Sequence, residues 1–130
     1  MQAEDKILKA LEATVNHLKN AVQALKREDE KSFDDATWHA AAELEYALFL
    51  FSIMLKDAGE TQKLKVNPES KVVNFEAILI QTQDFLSKAG TCMANKNILE
   101  AYKNANVARH YLLKVQEELA KRKRMASKTK

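Results

Sequence analysis

Apolar residues near the start of the chain recur at alternating intervals of three and four. Leu8, Leu11, Val15, Leu18, Val22 and Leu25 form the series. It is the a/d seam of a heptad pattern and predicts a first helix from about Glu4 to Arg27. The run Glu28-Asp29-Glu30-Lys31 breaks it. A second seam, Ala41, Leu44, Leu48, Phe51 and Leu55, predicts a helix that begins after Ser32 and runs to about Asp57. Ser32 is the expected cap, with Asp35 completing a capping box, and Gly59 suits the left-handed residue that closes a helix. The second half of this helix, Tyr46 to Leu55, is apolar nearly all round. Such a surface has to be covered on more than one side.

A polar connection, Glu60 to Val66, leads to a third helix expected to start at Asn67-Pro68, with asparagine as cap and proline at the first helical position. Val72, Phe75, Leu79, Thr82 and Leu86 carry its seam, and Gly90 is expected to end it. A short loop, Thr91–Lys96, contains Cys92. The fourth helix starts near Asn95 or Asn97 and continues to about Arg124 on the seam Ile98, Ala101, Ala105, Ala108, Leu112, Val115 and Leu119. Its alanines allow close approach to the larger residues of neighbouring helices. The short first and last connections imply two antiparallel hairpins. The expected fold is all-α, an antiparallel four-helix up-and-down bundle of residues 1–120 with a frayed or disordered basic tail at 121–130.

Composition narrows the alternatives. With 130 residues, 46% hydrophobic and 30% charged, the chain suits one globular domain. Two glycines and one proline are too few for the tight turns of a sandwich or barrel. The longest apolar stretch, Tyr46 to Leu55, is well short of the roughly 20 residues of a membrane span. The polar N-terminus lacks the apolar run of a secretory signal, and the single Cys92 cannot form an internal disulfide, so a cytoplasmic location is expected. The net charge of +3 conceals an asymmetry: residues 121–130 hold six Lys/Arg and no acid, so the rest of the chain is acidic.

Candidate chemistry is sparse. His39 and Glu43 stand four apart on one helix, and His17 and His110 are the other imidazoles. In the heptad register all three histidines fall at outer positions of different helices, so no metal or cofactor site is expected. Arg109 and His110 are adjacent and leave their helix about 100° apart, which stops them from addressing one phosphate as a nuclease pair would. Cys92 precedes a helix start, which favours a thiolate, but no histidine lies near it in sequence. No catalytic residue is assigned, and the reading leans away from an enzyme.

Two surfaces remain. Lys121-Arg122-Lys123-Arg124 fits either the helix dipole or a phosphate-bearing partner such as nucleic acid. On the outer face of the second helix, His39, Glu43, Tyr46, Leu50 and Ile53 align, with Phe49 beside them. The third helix has a similar shoulder of Val73, Ile78, Ile80 and Phe85. An apolar outer stripe marks an interface, so Tyr46, Phe49, Leu50 and Ile53 are the expected contacts of a homo-oligomer or protein partner. The function expected is that of a small non-catalytic bundle acting through protein–protein interaction or self-association. The alternative is a nucleic-acid-associated accessory protein using the basic tail.

Overall fold

A computed structural model of the chain describes residues 2–57 and 74–128. Four α-helices account for nearly all of them: α1 (Gln2–Lys26), α2 (Glu30–Asp57), α3 (Phe75–Ala94) and α4 (Ile98–Lys128), with no strand among the described residues. No helix there is long and apolar enough to cross a membrane. The expected start at Asn67-Pro68 and the closing Gly59 lie outside the described residues. Within them, Asn74 caps α3, its side chain accepting the Ala77 amide at 3.1 Å.

The two short connections have the same geometry. Glu28 takes φ 57° after α1 and Lys96 takes φ 60° after α3. The Glu28 and Asp29 amides donate to Leu25 and Ala24, and the Lys96 and Asn97 amides donate to Met93 and Cys92. Both are Schellman turns, in which the left-handed residue turns two amides back onto open helical carbonyls. The residue after each left-handed position, Asp29 or Asn97, stands at the cap position directly before the next helix, its carbonyl accepting the amide four residues on. Asp29 is therefore the cap of α2, in place of the expected Ser32: its carboxylate accepts the Ser32 amide at 3.2 Å and the Ser32 hydroxyl at 2.7 Å. Those bonds, the hydroxyl's first, hold the Asp29 carboxyl below its usual pKa.

Gly90 does not end α3, which runs on to Ala94. The strain of the turn falls on Lys96 instead, and Cys92 sits within the helix rather than in a loop. α4 holds its helical form through the basic run to Lys128.

Each helix packs along two others: α1 on α2 and α3, and α4 on α2 and α3. The pairs α1 with α4 and α2 with α3 lie across the diagonal. Three contacts place the end of α1, the starts of α2 and α3, and the last turns of α4 together at one end of the molecule. Lys26 meets Glu76 at 3.7 Å, the Phe33 and Phe75 rings lie 5.5 Å apart, and Lys123 pairs with Asp34. Near the other end Phe51 packs on Tyr102 at 5.8 Å.

Large side chains at the core alternate with alanine. Leu18, Leu44, Phe51, Leu79, Leu86, Leu112 and Val115 are fully buried, and so are Ala21, Ala40, Ala47, Ala89, Ala101, Ala105 and Ala108. The α4 seam lies inward as its spacing indicates. The α1 seam lies inward only in part: Leu11 and Leu18 are buried as expected, but the rest is turned by one residue, so that Ile7, Thr14 and Ala21 face inward, Leu8 is exposed, and Val15, Val22 and Leu25 are half-buried flanks. A seam read from bulky residues misses the side on which small ones admit a neighbouring backbone. Three threonines, Thr14, Thr37 and Thr82, are fully buried, and each hydroxyl donates to the carbonyl four residues back at 2.7–2.8 Å. That bond satisfies the hydroxyl without a partner on another helix.

Candidate interaction surface

The core stripe of α2 runs through Ala40, Leu44, Ala47 and Phe51. At about 100° per residue, Asp35, Trp38, Ala42, Phe49, Ile53 and Lys56 fall within one wedge about 60° wide on the opposite side of the helix. All six are exposed. Trp38, the chain's only tryptophan, is 65% exposed, Phe49 59% and Ile53 43%, with Tyr46 beside the wedge at 46%. Exposed apolar residues so concentrated on one outward face form a patch rather than a scatter.

Of the four residues expected at an interface, Tyr46, Phe49 and Ile53 thus stand in solvent. Leu50 is half-buried and packs against the core. The apolar stripe is rotated from the line His39–Tyr46–Leu50 towards Trp38–Phe49. Trp38 is the member that the sequence reading misses. Its spacing of four to Ala42 and eleven to Phe49 carries the signal, since both intervals return to nearly the same side of a helix. On the α3 shoulder Val73 lies outside the described residues. Ile80 is exposed, but Ile78 is buried and Phe85 stacks on Tyr111 at 5.7 Å, so this shoulder is largely internal packing.

Beside the wedge, α2 and α4 leave a groove of about 530 Å³ lined by Trp38, Ala41, Ala42, Leu113, Leu119 and Ala120. Alanines on both helices make its floor shallow. The Asp34–Lys123 pair and the Glu45–Arg109 pair frame its two ends. A second hollow, about 410 Å³, lies at the end of the bundle where Phe33 and Phe75 meet. The Arg122 guanidinium covers the Phe75 ring at 4.5 Å and donates to Glu118 at 3.2 Å. Two of the four cations expected to contact nucleic acid, Arg122 and Lys123, are therefore engaged with the bundle. Lys121 and Arg124 are exposed.

The histidines differ from expectation. The heptad register points His17 and His39 outward on separate helices; instead their rings lie 5.4 Å apart where α1 meets α2. The one-residue turn of α1 brings His17 round towards its neighbour. His39 is exposed and His17 half-buried, so the pair lies at the surface and not in an enclosed pocket. Among the described residues, no group of three or more His, Cys, Asp or Glu is placed to hold a metal ion. Arg109 points to Glu45 on α2, while His110 is half-buried on α4. Cys92 is a free thiol, half-buried near the end of α3.

No protein-family model, curated protein or solved structure matches this chain.

Proposed function

We propose that this chain is a self-associating interaction protein whose working surface is the outer face of α2. The observation that carries the reading is the exposure of Trp38, Phe49 and Ile53 in one narrow wedge directly opposite the core stripe of the same helix. Tryptophan, tyrosine and phenylalanine are enriched at protein interfaces, and the first two dominate the positions that supply most of the binding energy. The scaffold is read as a bundle in which each helix runs antiparallel to both packing neighbours, with α2 and α3 parallel across the diagonal. The ion pairs of Lys26 with Glu76 and Lys123 with Asp34 support that arrangement. The engagement of Arg122 and Lys123 weighs against the basic run as a phosphate-binding tail.

Replacing Phe49 and Ile53 by Asp tests the proposal. Both side chains are exposed, so the helices should persist by circular dichroism while light scattering reports a monomer in place of an oligomer. An unchanged oligomer, or a wild type already monomeric at high concentration, overturns it.

A further inference from the structure

The face of α2 is self-complementary in charge and bulk when a second copy is laid against it in the opposite direction. We propose that two copies of this chain dimerise through antiparallel packing of α2 on α2, about a two-fold axis passing between Glu45 and Tyr46. The inference rests on the reading of α2 as the working surface and adds the partner and the register.

An antiparallel pair places residues equally far before and after the axis at the same level. With the axis between Glu45 and Tyr46, Asp35 meets Lys56 of the second copy at both ends of the contact. Trp38 then meets Ile53, and Ala42 meets Phe49. The outermost level pairs opposite charges, the next two pair aromatic with aliphatic and small with large, and every level occurs twice by symmetry. The six residues that make these levels all stand exposed in the outward wedge, where Lys31 is the one further exposed residue among the described positions of α2. From Asp35 to Lys56 the contact is about 31 Å long at about 1.5 Å per residue. The wedge lies opposite Leu44 and Phe51, and its six residues stay exposed even where α4 borders it at Trp38 and Ala42.

Two like carboxylates come together at the centre. Glu45 lies at the edge of the wedge next to the axis, so each copy brings its own Glu45 to the same side. Each is paired within its own chain to Arg109, and two neutralised pairs meet there in place of two bare charges. Tyr46 flanks the axis on the other side and meets its own symmetry mate. Shifting the register by one turn would set Trp38 against Phe49 and leave Asp35 and Lys56 without opposite charges, so complementarity selects the arrangement described.

Charge reversal tests it. Asp35→Lys and Lys56→Asp each convert two attractive pairs into two repulsive ones. Each pair is weak and exposed, but two attractions lost and two repulsions gained should together make dissociation on the order of thirtyfold easier. Mixing the two variants should restore dimers. The lysine introduced in one chain then meets the aspartate introduced in the other, and the native Lys56 of the first meets the native Asp35 of the second. The double variant should dimerise alone. Trp38 supplies the readout, its emission moving to shorter wavelength as the protein is concentrated, with sedimentation giving the mass. If Phe49→Asp gives monomers but the charge variants show neither loss nor rescue, the register is wrong and the surface is right. If the wild type stays monomeric, or Phe49→Asp leaves the dimer intact, both the register and the surface reading are overturned.

Discussion

The Lys123 ammonium pairs with the Asp34 carboxylate across 89 residues of sequence, tying the last turns of α4 to the start of α2. One helical position away, Arg122 covers the Phe75 ring of α3. The last turns of α4 therefore touch the starts of both α2 and α3.

Neither contact is buried, and their energies should be modest. Lys123→Ala is expected to cost less than about 1 kcal/mol, an effect that fades in high salt. Arg122→Ala removes a ring contact worth about 0.5–1 kcal/mol, which salt screens less, together with the pair to Glu118, which salt does screen. Urea unfolding of the two variants at low and high salt should separate them. A loss for Arg122→Ala that vanishes in high salt would show that the Phe75 contact contributes nothing.

Glycine is absent where the backbone calls for it and present where it does not. Lys96 holds φ 60° in the turn between α3 and α4, while Gly90 lies within α3 with nothing within 4 Å of a Cβ built on it. Gly90→Ala should stabilise the fold by about 0.5–1 kcal/mol through higher helix propensity. Lys96→Gly should also stabilise, by less than about 1 kcal/mol, because relief of the left-handed strain outweighs the freer unfolded chain. Thermal unfolding of each variant and of the pair checks this; a fall in Tm for Lys96→Gly would count against the turn as described.

The Asp29 cap makes an acid-side prediction. Its carboxyl titrates lower in the folded chain than the ordinary value of 3.8. The ionised form is therefore stabilised by folding. The contribution is complete above the unfolded value and disappears as pH falls through the lower folded one. Asp29→Ala should be less stable than wild type at neutral pH, and the two stability curves should converge below pH 3.8. A constant gap down to strongly acidic pH would remove the cap's electrostatic role.

Close approach of the helices depends on the α4 alanines. Ala105 is fully buried, so Ala105→Leu should cost about 1–3 kcal/mol by forcing two backbones apart. Phe51→Ala, at the other extreme of size, should cost about 3–5 kcal/mol through the cavity it leaves. Chemical denaturation measures both, and a tolerated Ala105→Leu would mean that α4 has room the structure does not show.

Helix existence was legible along most of the chain because heptad spacing survives even where register does not. On α4 the inward face was legible as well, since Ala101, Ala105, Ala108, Leu112 and Val115 keep to one strict alternation of threes and fours. On α1 Leu11 and Leu18 were placed inward correctly, but Leu8, Val15 and Val22 drew the other half of the seam one residue away from Ile7, Thr14 and Ala21. Bulk signals burial, but it does not signal where two backbones come closest. Turn geometry was less legible, because Glu28 and Lys96 occupy positions where glycine is the usual clue. The pairs His17–His39 and Lys123–Asp34 depend on how separate helices are rotated against each other, which no single-helix pattern encodes. The outward α2 stripe was visible in part: Tyr46, Phe49 and Ile53 stood out as apolar, while Trp38, eleven residues before Phe49, required the helical angle to be followed three turns back.

The buried threonines have a mechanical consequence. Thr14, Thr37 and Thr82 each turn the hydroxyl back on their own helix, and what they offer sideways is a methyl group. At these three positions the interior contains no polar latch from one helix to the next. Sliding one helix lengthwise past another would break no hydrogen bond at those three points. Resistance to such slippage falls to the alternation of bulk along the seams and to the clasps at the rim, where Lys26 meets Glu76 and Lys123 meets Asp34.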